Sequence, residues 1–159
     1  MGQHSKSSIP RSRFVRGSSC SITNDGSGEA SISGTLGGGD LVIISAGVGD
    51  VVSLRGLVID GHFVGADGII IQQASAVHIQ NCVIRNFQFN FAGNGISLQS
   101  NGNGQLFVSD TVIYNNGSTA NSGTGIRADG PRATILLNDN TITRNGTGIG
   151  AVNGGQLIS

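Results

Sequence analysis

Apolar residues set two apart, in short runs broken by Gly, Asn and Asp, dominate the pattern of this chain. One phrase returns at SLRGLVIDG (53–61), HIQNCVIRN (78–86), LFVSDTVIYNN (106–116) and ILLNDNTITRN (135–145). The Ile that closes it falls at Ile59, Ile84, Ile113 and Ile142, at intervals of 25, 29 and 29 residues. Five places earlier stand Leu54, Ile79, Val108 and Leu137, and between the two stand Gly56, Asn81, Asp110 and Asp139. A second run, opened by a polar residue and often Gly, appears as DLVIIS (40–45), DGIIIQ (67–72), NGISLQ (94–99), TGIRAD (124–129) and TGIGAV (147–152). Its apolar columns are Val42, Ile69, Ile96, Ile126, Ile149 and Ile44, Ile71, Leu98, Ala128, Ala151.

A period of two is that of a strand with one buried face. Each unit predicts about three short strands, for example at 69–71, 77–79 and 82–84. A single unit cannot enclose its own apolar side chains. Coiling the chain and stacking coils about 4.8 Å apart lays Ile on Ile and lets each backbone bond to the coils above and below. The expected fold is therefore all-β, a parallel β-helix of about four to five coils over residues 20–159. Asp110 and Asp139 fall at a bend, where their side chains are expected to bond turn amides.

Composition supports strands and turns. Of 159 residues, 27 are Gly, 2 are Pro and 37% are hydrophobic. Lys6, Arg11, Arg13 and Arg16 give residues 1–19 four positive charges and no acid, and that segment is expected to be a disordered basic leader. The rest of this neutral chain then carries a net charge of −4, a poor match for a nucleic-acid backbone. No run is apolar and long enough to cross a membrane, and residues 1–19 lack the apolar stretch of a secretory signal. Cys20 and Cys82 are too few for a disulfide framework. NGS at Asn116 and NGT at Asn145 have the form of glycosylation sequons and also of ordinary turns.

The GI-x-I strands, IQNCVIRN, and SAGVGDVVSLRGLVIDG at 45–61 together resemble the right-handed parallel β-helix repeat proteins of the pectate-lyase-like superfamily. The resemblance covers roughly 20–159. It implies a secreted setting and a polysaccharide partner, and its motifs speak to architecture rather than to one activity. SCSITNDGSGEASIS at 19–33 looks like a partial coil, and GGQLIS (154–159) mimics GNGQLFVS (102–109). An internal or truncated segment of a longer β-helix is thus expected, with exposed coil ends that favour end-to-end self-association.

The resemblance also puts chemistry on the outward face of the GI-x-I strand. Its outward positions are Ile43, Ile70, Ser97, Arg127 and Gly150, then Ser45, Gln72, Gln99, Asp129 and Val152. A glycoside hydrolase needs two carboxylates there, and a lyase needs several acids around Ca²⁺ with a base. Asp129 beside Arg127 is the acid this face supplies, so no catalytic residue is assigned. Arg127, Asp129, Gln99 and Gln72 are the candidate binding residues, and the ion-pair reading of Arg127 with Asp129 stands beside that one. Ile43 and Ile70 form an outward apolar pair that needs a cover or a partner.

Asp40, Asp67 and Asn94 share a column, and two carboxylates one strand-spacing apart repel unless a proton or cation lies between them. They are the candidate metal ligands, with Ca²⁺ as the ion, against the alternative of plain Asp-Gly turn chemistry. No other cofactor is expected. DGHF at 60–63 lacks the second Gly, paired aspartates and basic motif of the polygalacturonases, so Asp60 and Arg85 are expected to be a cross-coil ion pair. His78 should face outward and Cys82 inward as a structural thiol. Ice binding would need Thr columns, and Thr111 has Cys82 and Asn140 as its column neighbours. A noncatalytic scaffold or carbohydrate-interaction module is the leading reading, with a fragment of a polysaccharide lyase, hydrolase or epimerase as the alternative.

Overall fold

The computed structural model describes residues 13–16, 18–26, 28–34, 38–91, 93–99, 103–117 and 122–158, with backbone alone at 13–16 and 91. Strands come in threes. The first coil holds β1 (Arg13–Arg16), β2 (Cys20–Thr23) and β3 (Ala30–Ser33). The second holds β4 (Val42–Ser45), β5 (Val51–Arg55) and β6 (Leu57–Gly65), and the third β7 (Asp67–Gln73), β8 (Ala76–Gln80) and β9 (Val83–Phe87). Then follow β10 (Asn94–Leu98), β11 (Gln105–Ser109) and β12 (Val112–Tyr114), and β13 (Thr124–Asp129), β14 (Thr134–Asn138) and β15 (Thr141–Thr143). β16 (Thr147–Val152) and β17 (Gln156–Ile158) open another turn.

Corresponding strands of successive coils pair in parallel and form three sheets. Sheet A is β1-β4-β7-β10-β13-β16, sheet B is β2-β5-β8-β11-β14-β17, and sheet C is β3-β6-β9-β12-β15. This is the parallel β-helix that the spacing predicts. Ile59, Ile84, Ile113 and Ile142 stand in one register, as do Leu54, Ile79, Val108 and Leu137. Val42, Ile69, Ile96, Ile126 and Ile149 form a third column. Burying one such side chain contributes roughly 1.5–3 kcal/mol, and the middle coils hold theirs fully out of water. In β16 and β17 the same inward positions are partly exposed, at Ile149 and Leu157.

The bend from sheet B to sheet C turns on one left-handed residue, which is the whole connection at Gly56 and is followed by one more residue in the later coils. Gly56, Asn81, Asp110 and Asp139 all turn through the left-handed region, at φ of 69°, 52°, 50° and 51°. Gly, Asn and Asp tolerate that region best, which is why this column holds them. Gly56 has a further reason: a Cβ there would run into the carbonyl oxygen of Asn24. The expected side-chain bonds from Asp110 and Asp139 to turn amides are a misreading. Asp139 instead takes a bond from Asn138 Nδ2, and the contact to the next coil is made by the backbone, as Asp110 N–H donates to Asn138 O at 3.2 Å.

Two other expectations change. Arg13–Arg16, assigned to the leader, form β1 and pair with β4 from Arg13–Val42 to Arg16–Ser45; residues 1–12 lie outside the described residues. Ser45 faces Gln73 rather than Gln72, because the register slips between Ile44 and Ser45. A second irregularity interrupts β6, whose pairing with β9 jumps from Asp60–Arg85 to Gly65–Phe87. His62 and Phe63 occupy that insertion, both at positive φ, and Phe63 stands 57% exposed.

Candidate functional site

At the start of the second, third and fourth sheet A strands, a polar side chain is spent on the next coil. Asp40 Oδ1 accepts from Asp67 N–H at 3.2 Å, Asp67 Oδ1 accepts from Asn94 N–H at 2.8 Å, and Asn94 Oδ1 accepts from Thr124 N–H at 2.9 Å. Asn94 Nδ2 adds a second bond to Asp67 Oδ1 at 2.9 Å. The three candidate metal ligands do share a column, and the oxygens named here are occupied by amide donors. Among the described residues no group of three His, Cys, Asp or Glu is arranged to hold a metal ion. Burial pushes the Asp67 carboxyl up, against the pull of the Asn94 bonds, and the charge of Asp40 pushes the same way. Burial likewise raises Asp40 against the bond from the Asp67 amide.

Higher on the same sheet, Arg127 Nη2 meets Asp129 Oδ2 at 2.7 Å, and Asn153 Nδ2 donates to Asp129 Oδ1 at 2.6 Å. The Asn153 bond foremost, then Arg127, holds the Asp129 carboxyl below its ordinary range. Arg127 Nε is buried and finds no hydrogen-bond partner. Gln99 is exposed and donates to Ser97 Oγ at 3.2 Å, and Gln72 is exposed on the strand below. Thus Arg127 and Asp129 come together as an ion pair, while Gln99 and Gln72 lie on lower coils. Ile70 and Ser97 point outward yet are 8% and 1% exposed, so this part of the face is covered.

Inward-pointing amides and hydroxyls form two further ladders. Cys82 N–H donates to Thr111 Oγ1 at 3.3 Å, and Thr111 N–H donates to Asn140 Oδ1 at 3.0 Å. Asn116 Oδ1 accepts from Phe87 N–H at 3.2 Å, and Asn116 Nδ2 donates to Asn145 Oδ1 at 2.9 Å. Asn116 is 0% exposed, so the first sequon marks a ladder rung and not an exposed loop. Cys82 is buried as expected, its Sγ donating to Gln80 O at 3.2 Å, and burial raises its pKa.

On sheet C the cross-coil pair is present, with Arg85 Nε 2.7 Å from Asp60 Oδ2. Asn86 Nδ2 and His62 N–H also donate to Asp60 Oδ1, at 3.0 and 2.9 Å, and Arg85 Nη1 donates to Tyr114 Oη at 2.8 Å. Burial alone would raise Asp60, but the bonds from Asn86, the His62 amide and Arg85 outweigh it and hold the carboxyl below the ordinary range. This cluster fastens three coils together.

The outside of sheet B is different. His78 faces outward and stacks on Phe107 of the next coil, ring centroids 4.7 Å apart and planes 10° from parallel. On the opposite side of His78 the column continues as Ser53 and then Ser21. An open depression of about 310 Å³ lies there, floored by Ser21 and Ser53, walled by His78 and bordered by Arg55, Gln80 and Asp25. Arg55 Nε binds Asp25 Oδ1 at 2.8 Å, and its Nη1 donates to Gln80 Oε1 at 3.2 Å. Sequence reasoning placed His78 correctly but passed over this site. Its signal was present in the phrase itself, where S-L-R-G at 53–56 lies against H-I-Q-N at 78–81.

The family described as right handed beta helix region matches residues 5–158 of this chain. No curated protein and no solved structure matches it.

Proposed function

We propose that this chain, which belongs to the right-handed β-helix family, is a noncatalytic scaffold that meets carbohydrate through an outward face of its stacked coils. In this reading it is a relative of the pectate-lyase-like polysaccharide enzymes that keeps their architecture without their catalytic groups. The observation that carries the reading is the state of Asp129, whose two oxygens are taken by Arg127 and Asn153 at 2.7 and 2.6 Å. A general acid at neutral pH needs a raised pKa and a reachable proton, and these bonds work in the opposite direction. Asp40 and Asp67, which do have raised pKa values, turn an oxygen each to the backbone of the next coil.

Incubation with polygalacturonate and with alginate, each with and without Ca²⁺, tests the catalytic half. Neither unsaturated-product absorbance nor reducing ends should rise above the buffer control. Turnover that Asp129→Ala abolishes would overturn the noncatalytic assignment. A glycan array probed with the full chain tests the other half: at least one oligosaccharide should be retained, and a blank array contradicts the carbohydrate reading.

A further inference from the structure

We infer that the depression on the outside of sheet B binds one pyranose ring of a neutral oligosaccharide, seated against the imidazole of His78. This rests on the carbohydrate reading above and gives it a location. The site arises from a break in one column. Successive coils place Ser21, Ser53, His78, Phe107 and Leu136 at the same outward position, in register. Phe107 and His78 fill that position with rings 4.7 Å apart. At Ser53 the side chain shrinks to a hydroxymethyl group, and a ring-sized space opens beside the free face of the imidazole. Strands repeat every ~4.8 Å, so a ring seated over Ser53 continues the stack at the interval it already has.

The border selects the chemistry. A sugar hydroxyl both donates and accepts, and here the Arg55 guanidinium lies 2.8 Å from the Asp25 carboxylate, a donor and an acceptor side by side. Neighbouring hydroxyls of one ring can engage the two together. Ser21 and Thr23 add hydroxyls 3.0 Å apart. A uronate would bring its own charge to Asp25, on a body whose net charge over residues 20–159 is −4, so the neutral ring is favoured. The lining is mostly polar around one heteroaromatic ring, which suits a ligand that carries many hydroxyls, and about 310 Å³ is at the lower end of the size range of small-ligand sites.

Calorimetric titration of the full chain with cellohexaose, xylohexaose, mannohexaose and hexagalacturonate tests this. At least one neutral hexasaccharide should bind, and more tightly than hexagalacturonate. Ser53→Phe, which fills the space with another ring, should weaken that binding at least tenfold, and His78→Ala should weaken it too. Gln156→Ala, far along sheet B, should leave it unchanged. Circular dichroism identifies any variant that has lost the fold, and His78→Ala then decides if Ser53→Phe is lost. Undiminished binding by both folded variants removes the site while leaving the carbohydrate reading intact. Tighter binding of hexagalacturonate overturns the neutral-ring assignment. A chain that binds no member of this panel overturns the inference, and a blank glycan array overturns the broader reading as well.

Discussion

The Asp40–Asp67–Asn94 column at the start of the sheet A strands and the Ser53–His78–Phe107 column outside sheet B are products of the same stacking, yet they do opposite things. In the first, short polar side chains repeat, and one oxygen of each accepts the N–H of the next coil. In the second, the side chains change size from one coil to the next, so stacking leaves relief instead of closure. Repetition holds the solenoid together. A break in repetition leaves an open space bordered by polar groups, and that is where the proposed sugar ring would sit.

The largest expected effect contrasts the interior with the outward column. Ile113→Ala removes a fully buried rung and should cost about 2–5 kcal/mol in urea unfolding. Phe107→Ala, half-buried on the outside, should cost less than half as much. Equal losses would erase the distinction between scaffold and face.

Gly95 sharpens it next. A Cβ there would lie 2.6 Å from the carbonyl oxygen of Gly125, backbone that cannot move aside. Gly95→Ala should cost about 1–3 kcal/mol, whereas Gly150→Ala, whose Cβ meets Thr124 at an ordinary 3.5 Å, should be close to neutral.

The carboxylates give a smaller effect with a sign. Asp67 has a folded pKa above the ordinary 3.8, so it contributes stability below 3.8 and loses it as pH rises through the folded value. Asp67→Asn keeps an acceptor without the buried charge and should stabilise the protein at pH 7, with the gain closing in acid. Asp60 is shifted down, so its contribution is present above 3.8 and lost as pH falls through the folded value. Asp60→Asn should therefore destabilise at pH 7 and converge on wild type in acid. Melts from pH 3 to pH 7 read both, and parallel curves would contradict the opposite shifts. Least of all, Arg127→Ala should change stability by less than about 1 kcal/mol, since its side chain is 39% exposed.

Most of the architecture could be read before any coordinates. The phrase containing Ile59, Ile84, Ile113 and Ile142 set the vertical register because strand periodicity and burial both act on it, and the Asp60–Arg85 pair followed from that register. β1 was missed because RFVR is four residues flanked by arginines, within a basic segment, and its partner strand lies a whole coil away. The slip at Ser45 was missed because a bulge leaves no mark in apolar spacing. Asn116 and Asn145 read as sequons because a tripeptide does not state where its amide points. The sheet B depression escaped for a different reason: a space depends on the difference between neighbouring coils, while a repeat search looks for their likeness.

The most direct test of this division of labour is a backbone amide NMR map of the full chain titrated with the neutral hexasaccharide it binds best. The account predicts that the shifted resonances cluster at Ser21, Ser53, Arg55, His78 and Gln80, leaving Gln99, Arg127 and Asp129 unmoved. Shifts centred on Arg127 and Asp129, with Ser53 and His78 silent, would contradict it.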